Sequence, residues 1–241
     1  MRRVVCAALI ATLAGLATGT AARGEPPQVT VIGDSVLTAV IWNDKPLATI
    51  QQGLDMRLDI GVCRRLAGVS CPYEGGNVPT LLDVVHGLGP NLGKVVLVEM
   101  GYNDDAATFA QNVEASIAAL LRGGAQRILW ANLRGFSQHW IDMNDVLDEA
   151  AHRHPELTIV DWDSYSSNRW SWFQGDGIHL VYEGAMAMAT LFNSAIRQAL
   201  AAPATVAETP APLAVDTPAL PAARVGHAYL ARLVATGGSA P

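Results

Sequence analysis

Five short apolar runs constrain the fold of this chain more than any other feature of its sequence. Each is rich in valine, isoleucine and leucine, and several show no alternation with polar residues. A strand of that composition is buried on both faces, as strands are in a parallel sheet covered by helices. The predicted strands are residues 29–32, 56–60, 95–100, 127–131 and 157–161.

The segments between these runs have helical spacing. In residues 106–121, for example, Phe109, Val113, Ile117 and Leu120 share one stripe. Because strand and helix alternate, the crossovers should be right-handed and the sheet should lie between two helix layers. We therefore predict an α/β fold over residues 27–200, a three-layer α/β/α sandwich with a five-stranded parallel sheet. The other predicted helices are residues 46–54, 78–88, 142–154 and 182–200.

The two ends of the chain differ from this core. Arg2 and Arg3 precede an uncharged run that reaches residue 20 and is followed by small residues. This layout predicts a secretory signal peptide at residues 1–22, with an uncleaved anchor helix as the alternative. We expect the mature protein to be secreted, or periplasmic or in the cell envelope, without stable membrane insertion. Residues 201–241, rich in alanine and proline, predict a mostly disordered C-terminal tail.

The charge balance argues against one class of partner. The chain has 16 Lys and Arg against 22 Asp and Glu, a formal net charge of −6. Removal of Arg2 and Arg3 with the signal peptide would lower that charge to −8. Affinity for nucleic acid comes mainly from Lys and Arg side chains, so we expect no nucleic-acid partner.

Cys63 and Cys71 are the cysteines that remain after the signal peptide. In an exported protein, two cysteines at this spacing predict a disulfide, with two buried free thiols as the alternative. No second pair of Cys or His stands at the spacing of metal ligands, so we predict no metal site.

Polar residues stand where the predicted strands end. Asp34 and Ser35 follow the first strand, Asn103 follows the third, and the loop after the fifth carries Asp176 and His179. Ligands of a doubly wound sheet bind outside the carboxyl ends of its strands, so these side chains should meet. A serine hydroxyl attacks an ester only when an oriented base takes its proton. We predict Ser35 as nucleophile, His179 as base and Asp176 as the carboxylate that orients it.

An oxyanion formed by that attack needs hydrogen-bond donors. The predicted donors are the backbone N–H groups of Ser35 and Gly61 and the side-chain amide of Asn103. Tryptophans cluster in the late loops, where they could form a platform for sugar rings or acyl chains or simply pack the loops onto the sheet. The residues predicted to contact substrate are Asp34, Arg134, Trp140 and Trp172.

Four blocks of the chain together resemble one known family. They are Gly33-Asp34-Ser35, Gly61, Gly101-Tyr102-Asn103-Asp104 and Asp176-Gly177-Ile178-His179, and they resemble the SGNH (GDSL-type) hydrolases over about residues 28–200. The resemblance implies a flavodoxin-like fold with strand order 2-1-3-4-5. It also implies the same roles for the triad and for the oxyanion donors.

A narrower likeness runs through Trp140 with Asn144, residues 160–162, and Trp172-Phe173. These stretches are similar to the SGNH domains of polysaccharide O-acyltransferases and to carbohydrate O-acetylesterases. In the former, the domain handles acetyl groups on cell-wall or surface polysaccharide. This second resemblance points to carbohydrate esters.

The expected function is that of an exported serine esterase that hydrolyses small acyl esters, acetyl above all, on a small molecule or a carbohydrate. No cofactor is expected, because the triad supplies nucleophile and base. Three alternatives stay open: an O-acyltransferase to a sugar hydroxyl, a lipase or lysophospholipase, and a catalytically inactive wall-binding module. The sequence makes no prediction of oligomeric state.

Overall fold

A computed structural model describes residues 28–202 and two short strands beyond them. At its centre lie five parallel strands in the order β2-β1-β3-β4-β5, as predicted. The first strand pairs with both neighbours, so that Val29 faces Met56 on one side and Val95 on the other. The strands are β1 (Val29–Gly33), β2 (Met56–Ile60), β3 (Val95–Glu99), β4 (Arg127–Ala131) and β5 (Leu157–Val160).

Seven α-helices lie between or after these strands in the described residues. They are α1 (Thr38–Ile41), α2 (Asp44–Gln51), α3 (Leu81–Leu88), α4 (Ala106–Arg122), α5 (Gln138–Arg153), α6 (Trp162–Ser166) and α7 (Tyr182–Ala201). The prediction placed the start of α3 three residues too early, because Thr80 caps it. The Thr80 hydroxyl accepts the N–H of Asp83 while the Asp83 carboxylate accepts the N–H of Thr80. The short helices α1 and α6 were missed, since neither is long enough to show a period.

Two apolar cores lie on opposite faces of the sheet. Helices α3, α4 and α5 cover one face, where the predicted stripe of α4, including Phe109 and Ile117, is fully buried. Helices α1, α2 and α7 cover the other face, with Met188 and Phe192 at its centre. The three-layer α/β/α sandwich is therefore confirmed.

The loop after β2 is closed by a disulfide between Cys63 and Cys71, as predicted. Cys63 has a φ of 63°, and Arg64 turns back under the loop with a side chain that is only 3% exposed. The Arg64 guanidinium donates to the Asp59 carboxylate at 2.7 Å and to the Pro79 carbonyl at 2.9 Å. Burial with these partners fixes the path of the loop beside the first strand.

The predictions for the chain ends concern residues that are largely undescribed. The signal peptide at 1–22 and most of the tail at 201–241 lie outside the described residues, and both stay predictions. Within the tail, Ala214–Val215 and Ala235–Thr236 pair as short antiparallel strands. Among the helices that the structure describes, none combines the length and the apolar character needed to cross a membrane.

Candidate active site

Ser35 stands at the point where the sheet changes its direction of growth. The chain leaves β1 toward β2 on one side and later returns to β3 on the other. Ligand clefts in doubly wound folds open at such a switch point. Here β1 ends at Gly33, and Asp34 caps a 3-10 turn (Ser35–Leu37) by accepting the N–H of Val36 at 2.9 Å. The cap fixes the turn that carries the serine.

The structure brings Ser35, His179 and Asp176 into one hydrogen-bonded chain. The Ser35 Oγ lies 2.9 Å from His179 Nε2, although the two residues are 144 positions apart. The His179 Nδ1 lies 2.6 Å from Asp176 Oδ2. With Nδ1 protonated and donating to the carboxylate, Nε2 is free to accept the serine proton.

Asp176 is held by its own loop. Its Oδ1 accepts the backbone N–H groups of Ile178 at 2.9 Å and of His179 at 3.0 Å. Partial burial alone would raise the pKa of the Asp176 carboxyl. These two bonds and the His179 side chain outweigh burial and lower that pKa. The side chains of His179 and Asp176 are 40% and 46% exposed, so the site is open to bulky ligands.

Asn103 lies beside Asp34, the residue before Ser35, and its side-chain amide is bonded to protein groups. Its side-chain Nδ2 donates to Asp34 Oδ2 at 3.1 Å and to the Arg64 carbonyl at 3.2 Å. Both amide hydrogens therefore have partners. The amide must share or release one of these bonds before it can bind an oxyanion.

Gly61 does not present a free donor, contrary to the prediction. Its N–H donates to the Gly33 carbonyl at 3.0 Å and so continues the pairing of β1 and β2. A side chain at Gly61 would collide with the Arg64 guanidinium and with Val78. The glycine is required here by close packing. By contrast, the Ser35 N–H donates to no other group within the described residues.

A pair of buried carboxyl groups lies behind the serine. Asp34 is fully buried, and its N–H donates to the Glu99 carbonyl at 3.2 Å. Burial raises the pKa of Asp34 to about 7. Burial and the adjacent Asp34 charge raise the pKa of Glu99 well above its usual range. Two such groups cannot both ionise in a desolvated site, so they retain a proton at neutral pH.

Arg134 anchors the loop that carries the histidine. It is 1% exposed, and its Nη1 donates to the Gly177 carbonyl at 2.9 Å. The guanidinium lies 3.9 Å from the ring centre of Trp170 and 4.1 Å from that of Phe173. No carboxylate among the described residues pairs with it. Arg134, which was predicted to contact substrate, is thus a buried cation whose observed partners are the Gly177 carbonyl and two aromatic rings.

The other predicted substrate contacts also pack against protein. Trp140 lies edge-on to Tyr102 at 5.1 Å, and Trp172 stacks on Trp162 at 6.2 Å. The exposed ring is instead Trp170, at 62%. The sequence places Trp170 in the tryptophan cluster but does not show which ring of the cluster is exposed. Trp170 and Trp172 lie in one 3-10 turn, where the side chains of nearby positions point in different directions. In the described ranges no group of three or more His, Cys, Asp or Glu is arranged to hold a metal ion.

Solved structures with this architecture cover most of the chain. The C-terminal catalytic domain of peptidoglycan O-acetyltransferase A (OatA) from Streptococcus pneumoniae superposes with a TM-score of 0.54 over 73% of this chain and 94% of that domain, at 18% identity. A carbohydrate acetylesterase family member from Sinorhizobium meliloti gives a TM-score of 0.53 over 72% and 99%, at 14% identity. The chain has the SGNH hydrolase fold.

A curated relative extends the similarity to sequence. YrhL of Bacillus subtilis, a candidate peptidoglycan O-acetyltransferase, is 30% identical over 105 residues, or 43% of this chain and 16% of that protein. The matched segment is therefore a small part of the relative. No family model matches the chain. The predicted resemblance to SGNH proteins is confirmed, and these comparisons support an enzyme of the SGNH hydrolase or acyltransferase type.

Proposed function

We propose that the protein is an exported serine esterase that removes acetyl groups from carbohydrate through an acyl-enzyme. The hydrogen-bonded chain from Ser35 through His179 to Asp176 carries this proposal. The carbohydrate acetylesterase of similar fold and the acetyltransferase relative support the acetyl group and the sugar. Export rests on the predicted signal peptide at residues 1–22.

In the first step, the Ser35 Oγ attacks the ester carbonyl carbon while its proton passes to His179 Nε2. Asp176 holds the Nδ1–H and stabilises the imidazolium that forms. The tetrahedral intermediate collapses as the sugar oxygen takes the proton from Nε2 and leaves. In the second step, water gives a proton to His179 and attacks the acetyl-serine. Acetate is released, and the proton returns to Ser35.

The negative charge on the carbonyl oxygen needs donors during both steps. The free N–H of Ser35 is one. The second is Asn103, whose amide turns one hydrogen from the Arg64 carbonyl to the oxyanion while the other stays on Asp34. Because a charged oxygen is the stronger acceptor, this exchange favours the transition state over the resting enzyme.

Turnover of 4-nitrophenyl acetate tests the mechanism. Ser35→Ala should abolish turnover and labelling by a fluorescent phosphonate, since the acyl carrier is missing. Ser194→Ala, which alters an exposed serine on α7, is the matched control and should keep both. Retained turnover in Ser35→Ala at an unchanged melting temperature would falsify the mechanism.

A second candidate keeps the same first step and passes the acetyl group to a sugar hydroxyl. The similarity to proteins named as O-acetyltransferases favours it. The open site supports it too, because an acceptor sugar could reach the acyl-serine as readily as water. Mass spectrometry of products formed with an acetyl donor and an added oligosaccharide separates the two. Free acetate alone indicates an esterase, and an acetylated oligosaccharide indicates a transferase.

A further inference from the structure

Two exposed aromatic rings stand together beside the catalytic loop. Phe136 is 41% exposed and Trp170 is 62% exposed, and their ring centres lie 6.1 Å apart in an edge-to-face arrangement. Adjacent exposed rings form a contiguous apolar patch, and such patches mark surfaces where ligands bind. We call these two residues the aromatic pair.

The aromatic pair lies beside the loop that carries Asp176 and His179. A methyl group placed on Gly177 would lie 3.4 Å from the Trp170 ring and 3.6 Å from the Phe136 ring. Gly177 directly follows Asp176 and stands two positions before His179. A ligand on the aromatic pair is therefore next to the reacting centre.

A buried cation fixes the indole in place. The Arg134 guanidinium stacks 3.9 Å from the Trp170 ring centre and 5.4 Å from that of Phe136, while its Nη1 bonds to the Gly177 carbonyl. One face of the indole is thus covered by the cation, and the exposed area belongs to the rest of the ring. Since the ring is already held, little side-chain entropy is lost when a ligand binds.

We propose that the aromatic pair is the subsite for the sugar ring that carries the ester. This inference rests on the proposed function and names its substrate class. The C–H groups on one face of a pyranose complement the electron-rich face of an indole. The half-exposed carboxylate of Asp176 keeps the surroundings polar. An acyl chain would instead need an enclosed apolar pocket, so the occupant we assign is a saccharide.

Binding without chemistry gives the first test. Isothermal titration with chitotetraose, which carries no O-acetyl ester, measures the subsite whether or not the enzyme hydrolyses anything. Trp170→Ala should weaken binding at least about tenfold, and Trp170→Phe should fall between it and wild type. Trp42→Ala removes another exposed tryptophan, one that contacts no ring of the cluster, and should bind as wild type. Equal binding by wild type and Trp170→Ala, or no binding by either, overturns the subsite.

Kinetics with two acetate esters gives the second test. In Trp170→Ala, the loss of kcat/KM on O-acetylated chitotetraose should exceed the loss on ethyl acetate at least about tenfold, mostly through KM. Ethyl acetate is chosen because a nitrophenyl ring could itself stack on the indole. Equal losses on both esters would mean that Trp170 only supports the loop, and a selective loss on a decanoate ester would assign the rings to acyl chains. A wild type inactive on every ester would overturn the proposed function and leave the titration result standing.

Discussion

The two halves of the proposed catalytic triad are held in different ways. Ser35 stands two residues after the end of β1, and the nearby side chains of Asp34 and Glu99 are almost fully buried. The half that carries His179 is a loop whose triad side chains are 40% to 46% exposed. Buried Arg134 attaches the loop to the fold, together with a short backbone pairing at the base of the loop.

Each half is therefore sensitive to a different kind of change. Backbone pairing positions the serine, so its surroundings respond mainly to protonation and to the loss of hydrogen-bond donors. Side-chain packing and a short backbone pairing position the histidine, so its surroundings respond mainly to changes of shape. We expect variants of the two halves to change turnover in different ways, and a shared response would contradict the contrast.

Asn103→Ala should cause the largest loss after removal of the triad itself. It deletes a proposed oxyanion donor and the partner of Asp34 Oδ2. We expect kcat on 4-nitrophenyl acetate to fall about 10²- to 10³-fold with a smaller change in KM. Asn91→Ala, exposed and just before β3 at the opposite edge of the sheet, should have wild-type kinetics. A loss confined to KM would make Asn103 a binding residue.

Arg134→Met tests the attachment of the loop half. The methionine replaces the unbranched stem of the arginine but lacks the donor to the Gly177 carbonyl and the cation that stacks on Trp170. The histidine should drift from the serine, and kcat should fall about 10- to 100-fold. Arg169→Met, which alters an exposed arginine near Trp172, is the matched control and should change kcat less than twofold, roughly. Equal effects of the two variants would contradict the anchoring role of Arg134.

Gly177→Ala should distort the same loop more gently. Gly177 has a φ of 72°, and an added methyl would meet Arg134 at 3.1 Å. We expect about 1–2 kcal/mol of lost stability and a roughly tenfold lower kcat. Gly175→Ala, where nothing lies within 4 Å, should match wild type in urea denaturation and in turnover. If both variants behave alike, the loop tolerates strain and the contrast between the halves fails.

Glu99→Gln should leave turnover least affected and change the pH dependence of stability. Burial raises the carboxyl pKa values of Asp34 and Glu99 above 3.8 and 4.5, so the folded protein holds protons that the unfolded chain releases. Stability must therefore fall as pH rises from about 4 through about 7, at about 1.4 kcal/mol per pH unit for each retained proton. Asp104, whose pKa burial raises to about 6, adds to this slope.

Urea denaturation at pH 5, 6, 7 and 8 measures that slope. Glu99→Gln removes one titrating group, so its slope should be smaller than that of wild type. Glu183→Gln, which alters an exposed carboxylate on α7, should leave the slope unchanged. A slope in Glu99→Gln equal to that of wild type would exclude Glu99 as a buried proton holder.

Much of the fold could be read from the sequence because burial leaves a periodic trace. The five apolar runs and the α4 stripe predicted the strands and helix layers, and strand order then placed Ser35 near His179. The engagement of the Gly61 N–H could not be read, since it depends on how β1 and β2 pair. Nor could the burial of Arg134, because it lies outside the apolar runs and its charge gives no sign of its depth.

The 144-residue separation of Ser35 and His179 has a consequence for synthesis of the protein. A ribosome makes Ser35 long before it reaches His179, and α7, which covers one face of the sheet together with α1 and α2, comes later still. A nascent chain shorter than 179 residues therefore lacks the imidazole of the proposed triad. The hydrogen-bonded arrangement can form only after the ribosome has passed His179, and the core on one face of the sheet is complete only after α7 has been made.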